Sequence, residues 1–464
     1  MKEQVKQIHF VGIGGVGMAG IAEVCVNLGF QVSGSDVRRN PTILRLEDLG
    51  AKVQIGHDPV EVRNADVVIV SSAIRGENPE VQWAKTQRVP VIPRAEMLAE
   101  LMRMRFGIAI AGTHGKTTTT SLTAAVLTHA GLDPTFVIGG KLNQVGSNAR
   151  LGAGKYLVAE ADESDASFLH LAPMMSVVTN IDMDHMETYQ GDFSRLLSTY
   201  VEFINRLPFY GLAVVCLDDP HIKKLVPELA RKTKTYGFDE QADVRAVDVV
   251  SEGLRSRFTV LLKDQTRFNI SLNIPGRHNV QNALAAIAIA LELGVTPELI
   301  NEALSQFGGV GRRFEVYPQR LIGGHQLTLV DDYGHHPTEL NATVATARAA
   351  FPTKRLVLVF QPHRYSRTRD LFDDFVHSLM QADLVILTQV YAAGETPLTA
   401  FDSKALIQAM RLRGAHQLVY AENFDELQNL AADVLMDDDV VLMMGAGDIG
   451  VWAKTWQEQG IQHE

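Results

Sequence analysis

The chain has 464 residues, 46% hydrophobic and 21% charged, which is the composition of a globular protein and a length suited to about three domains. Its formal net charge of −11 argues against non-specific nucleic-acid binding, and no apolar run approaches the roughly 18 residues of a membrane helix. We therefore expect no nucleic-acid partner and no membrane insertion. Because a strand follows the first few residues, we expect no signal peptide and a cytoplasmic protein.

The first block, residues 8–105, alternates short apolar strands with helical patterns, which predicts a parallel sheet with helices on its faces. After its first strand, Gly12–Gly17 fits the pattern G-x-G-x-x-G, and Asp36 ends the second strand. Such glycines let a diphosphate approach the start of a helix, and such an acid accepts from a ribose hydroxyl. The predicted nucleotide contacts are Gly14, Gly15, Val16, Gly17 and Asp36, with Ser71 and Ser72 after the strand Val67–Val70. For the serines, a helix cap or turn is an equal alternative.

The second block opens at Phe106 with an apolar strand, a glycine turn and a helical pattern. This order, with Lys-Thr at the start of the helix, is typical of a cradle for a nucleoside triphosphate, although Ile110 stands where the full pattern has its first glycine. We expect Lys116 to reach the β- and γ-phosphates and the Thr117 hydroxyl to bind Mg²⁺. The predicted ATP contacts in this turn are Gly112, Thr113, His114, Gly115, Lys116, Thr117 and Thr118.

Acids and a histidine follow later strands of this block. Glu160 begins the run Glu160–Asp165 after the strand Tyr156–Val158, and His185 lies beyond another apolar strand. Carboxylates packed at a strand end repel one another and need a cation, so Glu160 and His185 are predicted to converge on Mg²⁺ beside the glycine turn. Residues 243–274 show short strands without an intervening helix, which predicts an antiparallel excursion.

An alanine-rich helix is predicted next, over Val280–Leu293. Asn279 and Asn282 share one face of it and are predicted to contact an adenine or a phosphate, with ordinary capping as the alternative for Asn279. A third block of alternating strands and helices starts near residue 318. Its candidate site residues, and one just before it, lie on loops suited to capturing phosphate or carboxylate: Arg313, Asp331, His335, Arg364 and Arg367.

Together these motifs resemble the Mur ligase family, the ATP-dependent amide ligases of peptidoglycan precursor synthesis. The resemblance covers essentially the whole chain and includes the runs Glu160–Asp165, Gly276–Asn279, Gly311–Phe314 and Asp331–Pro337. It implies an α/β protein with three domains. These are a Rossmann-like domain for a UDP-sugar at 1–105, a central phosphate-loop ATPase domain with the antiparallel excursion at 106–317, and a Rossmann-like domain at 318–464 that closes over the site.

Within the family, the runs His9–Gly15, Ile181–Gly191 and Phe360–Arg369 are most similar to the members that add L-alanine to UDP-N-acetylmuramate. The resemblance implies that ATP phosphorylates the lactyl carboxylate of the sugar and that the amine of L-alanine attacks the acyl phosphate. It implies two Mg²⁺ ions, with Mn²⁺ as a substitute. It also implies a bacterial cytoplasmic enzyme that is either a monomer or a weak homodimer.

The roles of single residues follow from the same resemblance. It assigns the phosphates and first metal to Lys116 and Thr117, the second metal to Glu160 and His185, and the adenine to Asn279 and Asn282. It assigns the γ-phosphate and ribose to Arg313 and Asp331, and the region where sugar acid and alanine meet to His335, Arg364 and Arg367. Several Mur ligases support the metal site with a carbamoylated lysine, but residues 186–207 contain no lysine, so we expect no such modification here.

Three other interpretations stay open at this point. A recycling ligase of the same family joins a murein tripeptide to the same UDP-sugar and needs a roomier acceptor pocket. An NAD-dependent oxidoreductase explains the first glycine motif but leaves Lys116 without a purpose. The third interpretation is a non-catalytic, nucleotide-dependent binding switch, which leaves the second anion site without a purpose.

Overall fold

The computed structural model describes residues 4–71, 74, 76–143 and 147–459, so the predicted contact Ser72 lies outside the described residues. The described residues form three sheets flanked by helices. This arrangement confirms the three-domain α/β fold predicted from the sequence.

The first sheet consists of five parallel strands in the order β3-β2-β1-β4-β5. The glycine turn after β1 lies where the strand order reverses, the position at which open α/β sheets bind ligands. The elements are β1 (Gln7–Val11), α1 (Val16–Asn27), β2 (Gln31–Asp36), α2 (Pro41–Asp48), β3 (Lys52–Ile55), β4 (Val67–Val70), α3 (Pro79–Thr86), β5 (Val91–Pro93) and α4 (Arg94–Arg103).

The second sheet has ten strands in the order β15-β14-β13-β12-β11-β10-β6-β9-β7-β8. Strand β6 lies between β10 and β9 and is parallel to both. Strands β13, β14 and β15 are consecutive neighbours without an intervening helix, as the sequence predicts. The elements are β6 (Phe106–Ala111), α5 (Lys116–His129), β7 (Thr135–Leu142), β8 (Ser147–Arg150), β9 (Tyr156–Glu160), β10 (Met175–Val178), α6 (Phe193–Asn205), β11 (Leu212–Cys216), α7 (Pro220–Leu225), β12 (Lys232–Gly237), β13 (Val244–Glu252), β14 (Arg255–Leu262), β15 (Arg267–Leu272), α8 (Arg277–Glu292) and α9 (Pro297–Ser305).

Helix α5 is built from residues that favour helices weakly, since its first half is mostly threonine. Burial compensates: Thr119, Thr120, Ser121 and Thr123 are fully buried. Three of these hydroxyls donate to the carbonyl one turn earlier, for example Ser121 Oγ to Thr117 O at 2.8 Å. These three hydroxyls are satisfied within the helix, the Thr119 hydroxyl donates to Asn282 Oδ1 of α8, and packing determines that the segment is helical.

The third sheet has six strands in the order β16-β17-β21-β18-β19-β20, with β16 antiparallel to β17 and the other pairs parallel. Alternate residues of β18 point to opposite faces of the sheet and belong to two hydrophobic cores. Leu358 and Phe360 pack in one core, and Val357 and Val359 pack in the other. Because both faces are covered, its sequence is a continuous apolar run. The elements are β16 (Glu315–Ile322), β17 (His325–Asp332), α10 (Pro337–Ala350), β18 (Leu356–Phe360), α11 (Tyr365–Asp370), α12 (Phe372–Leu379), β19 (Leu384–Thr388), α13 (Ser403–Leu412), β20 (Leu418–Ala421), α14 (Phe424–Val434), β21 (Val440–Met444) and α15 (Ile449–Gln459).

The chain divides into two compact units. The first runs to Val249 and also contains Phe258–Leu272 and Val280–Gly308, whereas the second contains Val250–Arg257, Asn273–Asn279 and everything from Gly309 onward. The boundary expected between residues 317 and 318 falls inside β16, where the pairing of β16 with β17 shifts register between Tyr317 and Arg320. Among the described residues no helix is long and apolar enough to cross a membrane.

Candidate active site

The phosphate loop, Gly112–Thr117, connects the buried strand β6 to helix α5, and Thr118 follows it in the first turn of that helix. Gly112 has φ 129°, and a Cβ there would overlap the hydroxyl of Thr179. Gly115 caps the helix with φ 81°. Glycine is therefore required at both positions, by backbone conformation and by the lack of space.

Residues after the neighbouring strand β10 fix the loop. The Thr179 hydroxyl donates to His114 O at 2.6 Å, and Asn180 both accepts from His114 N at 2.8 Å and donates to His114 O at 3.0 Å. Asp182 N donates to the Thr113 hydroxyl at 2.9 Å, and the Asp182 carboxylate lies 3.0 Å from His114 Nε2. The loop is therefore preorganised before any ligand binds.

Lys116 lies at the base of this loop. Its ammonium donates to Gly112 O at 2.6 Å and to Thr113 O at 3.1 Å, and it pairs with both carboxylate oxygens of Glu163 at 2.9 and 2.8 Å. Burial lowers the pKa of Lys116, but the attraction of Glu163, Asp162 and Glu160 together outweighs burial, and the net pKa is raised. Burial, reinforced by Asp162, raises the pKa of Glu163 to about 7, although Lys116 opposes the shift.

The predicted metal ligands lie on both sides of the phosphate loop. Glu160 ends β9 and His185 follows β10, and these strands flank β6. The Glu160 carboxylate accepts from Gly139 N at 2.6 Å, and His185 adopts φ 54° with its N–H donating to the Asp184 carboxylate at 2.9 Å. With the buried Thr117, these residues offer carboxylate, imidazole and hydroxyl donors, a set that suits a divalent cation.

The two asparagines of α8 are both buried. Asn279 Nδ2 donates to Pro275 O at 2.6 Å, which steadies the entry to the helix. Asn282 Oδ1 accepts from the Thr119 hydroxyl at 3.2 Å, and a Cβ at Gly115 would come within 2.5 Å of it. Asn282 therefore packs directly against the phosphate loop.

The first glycine turn, Gly12–Gly17, is held by the strand beside it. The Ser35 carbonyl accepts from the N–H groups of residues 12 and 13, at 2.8 and 3.0 Å. The Asp36 carboxylate accepts from Gly14 N at 2.9 Å. The Ser71 side chain lies beside the turn, since a Cβ at Gly12 would be 3.4 Å from its Oγ. Asp36 therefore orders the turn itself.

The remainder of this turn leads into α1, which Gly15 caps. The Val16 side chain is 49% exposed, and its carbonyl accepts from Asn148 Nδ2 at 2.9 Å. The side chain of Arg94 lies against Gly17, where a Cβ would be 3.4 Å from Arg94 Cδ. An arginine that the sequence analysis did not select therefore lies beside the predicted diphosphate site.

In the second unit, Arg312 contacts both Asp331 and the ring of Tyr333, and Arg313 lies near the same ring. Asp331 accepts from Arg312 Nε at 3.3 Å, and burial raises the pKa of Asp331 to about 6 against the opposing charge of Arg312. The guanidinium carbons of Arg312 and Arg313 lie 5.1 and 5.2 Å from the centre of the Tyr333 ring. Asp332 accepts from the backbone N–H groups of residues 314 and 334, and burial raises its pKa as well.

The second unit also brings His335 and Arg367 to one place. The ring of His335 lies 5.7 Å from that of His363, which stacks on Tyr391 at 5.3 Å. Arg367 is buried, and its Nη1 lies 3.2 Å from His363 O. Arg364 directly precedes helix α11 and has φ 72°, and its backbone N–H donates to Tyr391 O at 2.8 Å.

Three family models match the chain in order. Residues 7–106 match the Mur ligase family catalytic domain, residues 110–290 the Mur ligase middle domain, and residues 312–447 the Mur ligase glutamate ligase domain. The chain belongs to the Mur ligase family. It is therefore an enzyme of the ligase class, and the recognition made from its motifs is confirmed.

Relatives of this Mur ligase match it along nearly its full length. UDP-N-acetylmuramate–L-alanine ligase of Hydrogenovibrio crunogenus is 67% identical, covering 99% of this chain and 100% of the relative. The enzyme of that name from Halorhodospira halophila is 60% identical over 96% of this chain and 92% of the relative. Among solved structures, UDP-N-acetylmuramate-alanine ligase of Thermotoga maritima has a TM-score of 0.83 and 30% identity, covering 98% of each chain. A murein peptide ligase from Psychrobacter arcticus, 23% identical, shares the fold with a TM-score of 0.72 over 99% of this chain and 100% of that one.

Several residues of this Mur ligase that were not predicted from the sequence have partners far away along the chain. Thr179, Asn180 and Asp182 order the phosphate loop, but short polar residues after a strand are too common to single out. Glu163 lies inside the run of acids that the sequence analysis recognised, but the 2.8 Å distance between its carboxylate and Lys116 Nζ is what identifies it as the partner of that lysine. Arg94 belongs to no recognised motif, so no sequence pattern indicated it.

Proposed function

We propose that this Mur ligase joins L-alanine to the lactyl carboxylate of UDP-N-acetylmuramate at the expense of ATP, an early step of peptidoglycan synthesis. The observation that carries this proposal is the presence of two different glycine turns in one compact unit, one of which contains a lysine. A ligase needs one nucleotide as its energy source, and a second nucleotide is the part of the acid substrate by which the enzyme binds it. Three relatives at 58–67% identity carry the name of the L-alanine ligase, and these names favour L-alanine over a murein tripeptide as the acceptor.

We assign ATP to the phosphate loop and its surroundings. In this proposal the N–H groups of Gly112–Thr118 face the phosphates, and Lys116 leaves Glu163 to bind the β- and γ-oxygens. Asn279 and Asn282 lie on the adenine side, and Arg313 and Asp331 serve the γ-phosphate and ribose.

Thr117, Glu160 and His185 would hold Mg²⁺, with two ions in the complete site and Mn²⁺ as a substitute. When bound, the ions neutralise phosphate charge. The protein contributes a carboxylate at the end of β9, an imidazole in the segment after β10 and a hydroxyl in the first turn of α5. Residues 186–207 lack lysine, so no carbamoylated lysine takes part.

The reaction proceeds by two displacements. An oxygen of the lactyl carboxylate attacks the γ-phosphorus of ATP, the bond to the bridging oxygen breaks, and ADP leaves with that electron pair. The amine of L-alanine then attacks the acyl carbon, and phosphate departs with the former carboxylate oxygen as the amine loses a proton. Lys116, Arg313 and Arg364 offset the negative charge that gathers during the first displacement.

We assign the UDP-sugar to the first glycine turn and to groups around it. Its N–H groups suit a diphosphate, and the proposed contacts are Gly14, Gly15, Val16, Gly17, Asp36, Ser71 and Ser72. Asp36 contributes by ordering the turn through Gly14 N. Arg367, His335 and Arg364 are assigned to the carboxylate and the incoming alanine.

The coarser organisation completes the proposal. We propose three domains at residues 1–105, 106–317 and 318–464; the compact units divide earlier, at Gly309, a division that keeps β16 whole. We further propose that the enzyme acts in the bacterial cytoplasm as a monomer or weak homodimer.

An oxygen isotope label tests the chemistry. UDP-N-acetylmuramate labelled in its lactyl carboxylate is incubated with ATP, Mg²⁺ and L-alanine, and both products are analysed by mass spectrometry. We expect a sugar nucleotide extended by one alanine and released phosphate that contains one labelled oxygen. Alanylated product with unlabelled phosphate would exclude the acyl phosphate, and absence of alanylated product would overturn the proposed function.

A further inference from the structure

Arg94 lies between the two glycine turns of the first compact unit. It is the first residue of α4, and its side chain packs against Gly17, with Cδ, Nε and Nη1 at 3.4–3.5 Å from where a Cβ would stand. Its Nη2 lies 3.6 Å from Oδ2 of Asp162, in the loop after β9. Both side chains are partly exposed, 23% for Arg94 and 42% for Asp162, so a ligand can reach the pair.

Glu163, the residue after Asp162, makes an equivalent ion pair with the second glycine turn. Glu163 pairs with Lys116 of the phosphate loop at 2.8 Å. Two consecutive carboxylates therefore each engage one cation, Arg94 beside the first glycine turn and Lys116 within the second. Since Lys116 must exchange its carboxylate for a phosphate when ATP binds, the parallel arrangement suggests the same exchange at Arg94.

The chemistry of arginine fits that exchange. A guanidinium binds two oxygens of a phosphate or carboxylate at once, and such charge-assisted pairs are stronger than a single ion pair with a partly exposed acid. Gly17 has no side chain to keep a ligand away from Arg94. The first glycine turn, Gly12–Gly17, contains no lysine or arginine of its own, so Arg94 supplies a positive charge that the turn lacks.

We propose that Arg94 binds an anionic group of the UDP-sugar, either its diphosphate or its lactyl carboxylate, and that Asp162 is the partner it leaves when the sugar binds. This inference rests on the proposed function, because it presumes that the first glycine turn takes the UDP-sugar. It has a specific consequence. Asp162 competes with the sugar for Arg94, so removing the Asp162 charge tightens sugar binding only while Arg94 is present.

Calorimetric titration of the full-length enzyme with UDP-N-acetylmuramate, without ATP or Mg²⁺, tests the inference. We expect Arg94→Gln to weaken binding about tenfold or more and Asp162→Asn to tighten it severalfold. In the Arg94→Gln background, Asp162→Asn should have no effect. Arg103→Gln, which removes an exposed arginine at the other end of α4, is the matched control and should bind like the wild type.

A second ligand separates the two anionic groups. UDP-N-acetylglucosamine has the diphosphate but no lactyl carboxylate. An equal loss of affinity for both ligands in Arg94→Gln assigns Arg94 to the diphosphate, whereas a loss confined to UDP-N-acetylmuramate assigns it to the carboxylate. Unchanged affinity for both overturns the inference.

Controls distinguish the loss of the contact made by Arg94 from misfolding of the variant and from failure of the proposed function. Thermal unfolding reports whether each variant is folded, and if Arg94→Gln fails this check, Arg94→Lys replaces it with an expected smaller loss of affinity. An Asp162→Asn variant that binds the sugar no more tightly than the wild type also contradicts the exchange. If the wild type itself does not bind UDP-N-acetylmuramate, the proposed function fails before the role of Arg94 is at issue.

Discussion

Two glycine turns in this molecule each connect a buried strand to a helix, yet they are held in different ways. Gly12–Gly17 is ordered by the Ser35 carbonyl and the Asp36 carboxylate, and it contains no cation. Gly112–Thr117 is fixed by side chains after a neighbouring strand and contains Lys116. The first turn is suited to bind through N–H groups and shape, whereas the second adds charge. Substitutions in the two turns should therefore have different consequences.

The largest effect is expected at the charge of the second turn. Lys116→Ala should lower kcat by about 10³-fold, because the cation that stabilises the transferred phosphate is gone. Affinity for UDP-N-acetylmuramate should stay within about twofold, because that site lies at the other turn. Phosphate release and calorimetry measure the two quantities. A variant that keeps most of its activity would remove the phosphate-loop assignment.

The next effect concerns the space around the second turn. In Gly112→Ala the new Cβ overlaps the Thr179 hydroxyl in a backbone conformation that alanine rarely adopts. We expect a loss of about 2–5 kcal/mol in the free energy of unfolding and weak ATP binding. Thermal unfolding with and without ATP measures both, and an alanine variant as stable as the wild type would contradict the geometry of the loop.

A moderate effect is expected at the acid that orders the first turn. Asp36→Ala removes the acceptor of Gly14 N and should weaken UDP-N-acetylmuramate binding about tenfold, with ATP affinity unchanged. Asp48→Ala, an exposed acid at the end of α2, serves as the control. Equal affinities of the Asp36 variant and the wild type would exclude Asp36 from the site.

The smallest effect sharpens the comparison of the two turns. Gly15 has an ordinary φ of −68°, and the nearest atom to a Cβ there is Gly12 O at 3.6 Å. Gly15→Ala should change the free energy of unfolding by less than about 0.5 kcal/mol, in contrast to Gly112→Ala. A large destabilisation, measured by the same thermal unfolding, would show that the two turns are equally constrained.

Local patterns predicted much of the fold. Strand β4 has the bounds expected from the sequence, Val67–Val70, because a strong apolar run defines it. The hairpin-like β7 and β8 were not predicted, since their residues show little alternation. The boundary expected between residues 317 and 318 stays a prediction; it falls within β16, an antiparallel edge strand, because such a strand resembles a linker in its sequence.

The candidate site was predictable where the chemistry is local. Gly112, Gly115 and Lys116 follow from a motif, and the structure gives each a geometric reason. The contact between Arg94 and Asp162 joins residues far apart in sequence, and no periodicity or spacing indicates it. The role of Asp36 also required the structure, because the sequence cannot tell whether a carboxylate faces a ribose or a backbone N–H group.

The most direct test of the account measures phosphate release from ATP and Mg²⁺ with UDP-N-acetylmuramate, comparing L-alanine with the tripeptide L-alanyl-γ-D-glutamyl-diaminopimelate as acceptor. The account predicts release that requires both the sugar and L-alanine. Release with the tripeptide alone would assign the chain to peptide recycling, and release with neither acceptor would contradict the assignment of the first glycine turn to a UDP-sugar acid.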